Sequence, residues 1–192
     1  MFSTILVPVD LADPAVAAAA MAEARRIARR DGARIAVISI VPAWPDDLAK
    51  TPGDWPPRLD AYIEENRDGL DVEGILKVGG SIAGRIEEAA EEIRADLVVM
   101  ASHDPRMTDY VIGSNAAHVV LHTPTSVLVV RGRAEDAGPR RHILVPVDLD
   151  SPEAPERALA LAAGTARAEG ARLTVVSVQP IVADQTAMPP PD

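Results

Sequence analysis

The sequence predicts an α/β fold: a parallel sheet with helices on both faces, followed by part of a second copy. Three observations carry this. Short runs of Val, Ile and Leu alternate with longer amphipathic segments, the order that makes strand–helix–strand units joined by right-handed crossovers. The apolar runs show no polar alternation, as strands buried on both faces do not. The run "ILVPVDL" at Ile5–Leu11 returns at Ile143–Leu149, so the unit that starts the chain starts again near its end.

Ile5–Val9 is the first strand, and Asp10 or Asp13 is placed to cap the first helix. Ala15–Arg30 is Ala-rich, with Met21 and Ile27 among Arg and Glu, and reads as that helix, ended by Gly32. Arg34–Val41, "RIAVISIV", is a second buried strand. Trp44–Pro57, with four prolines and a glycine, is expected to form no regular element, its two tryptophans covering a sheet edge. Leu59–Arg67 reads as a short helix and Val72–Val78 as a strand ended by Gly79 and Gly80. Ser81–Arg94 is an amphipathic helix whose Ile82, Ile86, Ala89, Ala90 and Ile93 share a face. Its acidic run Glu87–Glu92 reads as a solvated surface. Asp96–Met100 is a strand, Ser114–His122 a helix and Ser126–Arg131 a last strand.

The tail repeats the beginning. A shift of 138 residues lays Ile5–Pro42 on Ile143–Pro180 without a gap, with half the positions identical, Pro8 on Pro146, Asp10 on Asp148 and Gly32 on Gly170 among them. The organisation expected is a domain over 1–133, a linker over 134–141, a partial repeat over 142–180 and a disordered Pro-rich tail over 181–192. A lone strand–helix–strand cannot cover both faces of its own sheet. It must lean on the first domain, pair with another chain or fray. The origin expected is a longer two-domain protein cut short; the alternative is an element kept for oligomerisation.

Composition narrows the function. The 192 residues carry a net charge of −10, which repels phosphate backbones and anionic lipid, so neither nucleic acid nor membrane is an expected partner. There is no cysteine, hence no disulfide, thiolate metal site or cysteine nucleophile. No signal pattern opens the chain and no apolar run reaches the ~20 residues of a membrane helix; a cytoplasmic protein is expected. Nucleophile elbow, Walker loop and Ser-His-Asp patterns are missing, so no catalytic residue is assigned.

The informative stretch is "MASHDPRMTDYVIGSNAAHVV", Met100–Val120. It leaves a strand, runs through a loop and enters a helix at Gly113-Ser114-Asn115. Helix N-terminal amides favour anions, and glycine lets a phosphate approach the backbone. Ser114 is placed both to cap the helix and to donate its hydroxyl. Asp10, at a strand's carboxyl end, is placed to accept from ribose hydroxyls. Each feature has a plainer use, Asp10 as a turn residue and Gly-Ser-Asn as an ordinary helix cap. His103 is either a phosphate contact or a solvated loop residue. His118 and His122 stand four apart on one helix, but no acidic residue lies nearby after them as a third ligand, so they read as surface or packing histidines and no metal site is expected.

"ILVPVDL", "DLVVMASH" and "GSNAAHVVLHTPTSVLVVR", in that order, resemble the universal stress protein family, over Phe2–Arg131 as one domain and His142–Pro180 as the start of another. The resemblance implies a five-stranded parallel domain, Rossmann-like and akin to the adenine nucleotide alpha hydrolases, that dimerises through its last strand, here Ser126–Val130. It also implies a protein of stress survival that binds ATP or AMP, with any hydrolysis or self-phosphorylation slow. Where the family's nucleotide loop has its first two glycines, this chain has Ala101 and Asp104; the interval to Gly113 is one residue shorter, and Ser114 keeps its place. Carried over, Pro8, Val9 and Asp10 flank adenine and ribose, Ile40 packs on adenine, and Met100, Ala101 and Ser102 line the floor. His103, Asp104, Gly113, Ser114 and Asn115 surround the phosphates. A divalent cation such as Mg2+ would offset the charge of Asp104. The alternative is a member that binds no nucleotide and acts through dimerisation and protein contacts. The second unit has Pro146, Asp148 and Val178 but no loop, and cannot complete a site alone.

Overall fold

The structure, a computed structural model, describes residues 1–41, 43, 54–102, 113–132, 134–148 and 154–178. Its contacts divide the chain into two units, Met1–Gly138 and Pro139–Asp192.

The first unit runs β1 (Thr4–Pro8), a 3-10 turn (Pro14–Ala17), α1 (Ala18–Asp31), β2 (Arg34–Val41), α2 (Trp55–Arg67), β3 (Val72–Val78), α3 (Ile82–Glu92), β4 (Leu97–Ala101), α4 (Ser114–His122) and β5 (Ser126–Val130). The strands form one parallel sheet in the order β3-β2-β1-β4-β5. Alternate side chains of each strand point to opposite faces. Ile5, Val7, Ile35, Val37, Leu97 and Val99 meet Met21, Ala24, Ile27 and Ala28 of α1 and Leu59, Tyr62 and Ile63 of α2. On the other face Leu6, Ala36, Ile38, Val98 and Met100 meet Ala83, Ile86, Ala89 and Ala90 of α3 and Ala116 and Val119 of α4. Each fully buried Ile, Leu or Val contributes about 1.5–3 kcal/mol, so the two apolar layers hold the sheet in place.

Several helix limits differ from those read off the sequence. The Ala15–Arg30 segment opens with the 3-10 turn before α1 begins at Ala18. Neither aspartate caps it by side chain: Asp10 accepts from the amide of Ala12 instead, and Asp13 makes no side-chain capping bond. α2 begins inside the stretch expected to be irregular, at Trp55. Pro56 and Pro57 fall in the first turn, where a missing N–H breaks no helical bond. Trp55 packs against the core under the guanidinium of Arg58, 5.5 Å from the ring centroid; Trp44 lies outside the described residues. α3 stops at Glu92; Ile86, Ala89 and Ala90 of its expected stripe are buried and Ile93 packs against them, but at the helix start Ala83 is buried and Ile82 is 46% exposed. Ser81 is its N-cap, accepting from Gly84 N at 3.1 Å.

The second unit contains β6 (His142–Pro146), α5 (Ala154–Glu169) and β7 (Arg172–Val176), with β6 and β7 parallel. It reproduces the strand register and several hydrogen bonds of the beginning of the first unit. β1 pairs Thr4 with Arg34, and β6 pairs His142 with Arg172, the same register 138 residues on. Gly32 and Gly170 both end their helices at positive φ, with Ala33 N on Ala28 O at 3.2 Å and Ala171 N on Ala166 O at 2.9 Å. This is the helix-ending motif that favours glycine. In the first unit the amide of Phe2 donates to the carboxylate of Asp31 at 2.9 Å; in the second, Arg140 N donates to Glu169 at 2.6 Å. α5 buries Ala162 and Ala166 with Val145, the counterparts of Ala24, Ala28 and Val7. No second helix layer is present among the described residues of this unit. Leu144 is 59% and Val176 38% exposed, where their counterparts Leu6 and Ile38 are wholly buried. The stretch expected to be a linker holds a 3-10 turn, Ala134–Asp136, lying against α1. The expected tail, 181–192, lies outside the described residues.

Candidate functional site

In a parallel sheet of this kind, ligands bind beyond the strand carboxyl ends where the strand order reverses. Here that point lies between β1 and β4: the chain moves outward from β1 to β2 and β3, then returns to β4 and β5 on the other side. The β1–β4 ladder covers only Ile5↔Leu97 and Leu6↔Val98, whereas β4–β5 continues to Ala101↔Val130. Pro8 explains the early stop. Val9 N donates to Ile38 O of β2 at 2.8 Å, so by alternation the nitrogen of Pro8 faces β4, and proline has no hydrogen to give.

Residues expected at the site gather around this opening. Pro8 is partly exposed, Val9 buried and Asp10 exposed at the end of β1; Ile40 is partly exposed on β2; Met100 and Ser102 are buried, and Ala101 partly so, at the end of β4. Asp10 Oδ1 accepts from the amide of Ala12 at 2.8 Å. This Asx turn fixes the carboxylate over the loop that leaves β1. Both the turn role and the exposure a ligand needs are therefore present in one side chain.

The loop after β4 is closed at its base. Ser102 N donates to Val130 O at 2.9 Å, and Ser102 O accepts from Gly113 N at 2.7 Å. The chain returns to the point it left, which sets the start of α4 beside the end of β4. His103 and Asp104, between these two residues in the sequence, lie outside the described residues.

Two expectations about the helix start need correction. The residue at the cap is Gly113, with φ −55° and ψ 147°, and Ser114 is the first helical residue, with no side-chain capping bond. Gly113 N is already committed to Ser102, so it does not face a ligand. The next amides, of Ser114, Asn115 and Ala116, precede the first intrahelical bond, Ala117 N to Gly113 O at 2.9 Å. They are the groups at which a helix N-terminus attracts an anion. Ser114 and Asn115 are exposed there.

A second cluster escaped sequence reasoning. α3 and α4 pack side by side and bring Glu87 to His118 and His122, one ligand atom of each lying within 4.8 Å of the others. Glu87 Oε1 stands 3.7 Å from His118 Nε2. The third, acidic group absent from the sequence neighbourhood of the histidines is thus supplied by another helix. Glu87 belongs to the run read as a solvated face, yet its Oε1 is buried and has no hydrogen-bond partner. Only the contact between the two helices reveals it.

Comparison with known proteins agrees with this fold. The model of the family described as "Universal stress protein family" matches residues 1–131 and 139–191. The chain is 28% identical over 146 residues to universal stress protein G of Salmonella typhimurium, spanning 68% of this chain and all of that protein. Among solved structures, the universal stress protein from Archaeoglobus fulgidus in complex with dAMP superposes with a TM-score of 0.53 at 22% identity, over 67% of this chain and 98% of that one. A structure assigned to a universal stress protein from Pseudomonas aeruginosa superposes over 92% of this chain and 61% of its own, with a TM-score of 0.67 at 18% identity. No helix among the described residues is long and apolar enough to cross a membrane.

Proposed function

The chain belongs to the universal stress protein family, and from that premise we propose that it is an adenine-nucleotide-binding protein of the stress response, regulatory or protective rather than catalytic. The observation that carries the reading is the opening between β1 and β4, where the ladder stops at Leu6↔Val98 and the start of α4 is tied alongside by Ser102 and Gly113. ATP or AMP is the ligand. Pro8, Val9 and Asp10 with Ile40 take the adenosine end, and Asp10 accepts from the ribose hydroxyls. Met100, Ala101 and Ser102 form the floor. The amides of Ser114 and Asn115, with His103, Asp104 and a Mg2+ ion, take the phosphates. The dAMP held by the Archaeoglobus fulgidus protein supports an adenine nucleotide as the ligand class. β5, which among the described residues is an edge strand paired to β4 alone, is the surface through which two chains join as a homodimer, because an open strand edge offers unpaired backbone groups.

Calorimetric titration with Mg-ATP and with AMP tests the reading. Binding at micromolar Kd, about −8 kcal/mol, is expected, weakened at least tenfold in Asp10→Ala and in Gly113→Val. At φ −55° and ψ 147° the backbone of residue 113 accepts valine without strain, so a loss in that variant reports a filled site. No heat with either nucleotide, together with binding gained in Asp104→Gly, would establish instead a member whose phosphate site is closed by a carboxylate and which works through protein contacts.

A further inference from the structure

We propose that Glu87, His118 and His122 form a surface site for a borderline divalent metal ion of the Zn2+ type, separate from the nucleotide site. Two imidazoles and one carboxylate are a set that Zn2+ and its first-row neighbours prefer, and one that Mg2+ and Ca2+ do not.

Three observations converge. The ligand atoms already lie within 4.8 Å of one another, and the Glu87–His118 pair at 3.7 Å is close to the roughly 3.3 Å that separates ligands in a tetrahedral zinc site with ~2 Å bonds. His122 Nδ1 stands 2.8 Å from the carbonyl oxygen of His118. A carbonyl only accepts, so Nδ1 carries the proton, and in the neutral ring Nε2 presents its lone pair. That backbone bond is the kind that fixes the tautomer of a metal-binding histidine. Finally, Glu87 Oε1 is buried without a hydrogen-bond partner, a costly arrangement that a cation relieves.

The site needs little rearrangement. The two imidazoles lie stacked, centroids 4.1 Å apart and planes 22° from parallel. His118 Nε2 already lies 3.7 Å from the Glu87 carboxylate, and the backbone bond of His122 Nδ1 leaves Nε2 as the nitrogen able to bind a metal. His118 and His122 are exposed and Glu87 half-buried, so solvent completes the coordination. The position also separates the cluster from the nucleotide opening: His122 ends α4, whose first residues border the β4 loop. Of the other histidines, His142 has its Nε2 on Thr174 Oγ1 at 2.8 Å.

The test is competition between the chelator-treated, nucleotide-free full chain and a chromophoric chelator for Zn2+, with the Co2+ absorption spectrum as a readout of geometry. Losing an outer partner of a metal ligand costs about 10–100-fold in affinity, so losing a ligand should cost at least as much. One equivalent of Zn2+ is expected to bind, weakened tenfold or more in His118→Ala, His122→Ala and Glu87→Gln and unchanged in His142→Ala. Millimolar Mg2+ should not displace it. All three ligand variants are at partly or fully exposed side chains, so each should fold as the parent does. Wild-type affinity in both histidine variants, or no stoichiometric site in the parent, would overturn the proposal. So would loss in His142→Ala, which would put the metal in the second unit. Loss in the histidine variants with Glu87→Gln unaffected would overturn the three-ligand assignment.

Discussion

Gly32 and Gly79 look alike in the sequence, each ending an apolar element. Both have positive φ, 72° and 65°, where an L side chain costs about 1–2 kcal/mol. Their surroundings differ. A Cβ at Gly32 would meet nothing within 4 Å, whereas at Gly79 it would lie 2.8 Å from the Cβ of Ala43. Gly32→Ala should therefore cost about 1 kcal/mol, and Gly79→Ala about 1–3 kcal/mol more from overpacking. Urea denaturation of the two variants measures the difference, and equal losses would show that Ala43 moves aside freely. At this scale the sequence is legible where chemistry is local. Glycine and proline fix their own backbones, so the ends of α1 and β3 and the break in the β1–β4 ladder come from single residues. Ser114 is harder to place because a serine beside a glycine at a helix start can hold either of two positions, and the bond from Gly113 N to Ser102 O that decides between them reaches across the whole loop to the end of a strand. Glu87 carries no local signal at all.

Elements are joined at their ends by carboxylates that sequence alone does not single out. Asp31, the last residue of α1, accepts from the amide of Phe2, just before β1, and from the guanidinium of Arg30 at 2.6 Å. Asp96, just before β4, accepts from Ser3 N at 2.8 Å and Thr4 N at 3.2 Å. The Arg30 hydrogen bond first, and then the Phe2 amide, hold the Asp31 carboxyl below its ordinary value of 3.8 against the opposing effect of burial. A carboxylate whose folded pKa is lowered stabilises the fold above the unfolded value and loses that contribution as pH falls through the folded one. Asp31→Asn should thus cost about 1.5–3 kcal/mol at neutral pH, and the gap from the parent should shrink below pH 3.8. Chemical denaturation at pH 7 and in the acid range checks it; a gap independent of pH would assign the effect to packing. Strand positions are legible to within a residue or so because burial on both faces leaves an uninterrupted apolar run. Helix limits are less so. The start of α2 hides among prolines that a first turn tolerates, and the stripe of α3 is set by which residues the sheet reaches, Ala83 in place of Ile82.

At the scale of the molecule, the duplication visible as a repeated heptapeptide extends to hydrogen bonds. Val9 N to Ile38 O and Val147 N to Val176 O have the same length, 2.8 Å, and Arg34 N to Ser3 O at 3.1 Å is matched by Arg172 N to Arg141 O at 2.9 Å. The fold class and the outline of both units can be read in advance because the repeat and the alternation of elements are patterns along the chain. Which helices cover which face cannot, since that depends on crossovers.

The bare face of the β6–β7 sheet gives this chain an internal clock. Paired amides in the two units share position and register and differ in their surroundings: five strands with helices on both sides in the first unit, two strands with a helix on one side among the described residues of the second. Amide hydrogens exchange with solvent deuterium either by local opening or by global unfolding. Val9 and Arg34 should exchange only with the whole first unit. Val147 and Arg172 should exchange orders of magnitude faster, and equal rates would mean that something covers the second sheet in solution. The ratio within each matched pair, read from one sample under one condition, then weighs what the first unit adds to the shared strand–helix–strand, its further strands and its second layer of helices.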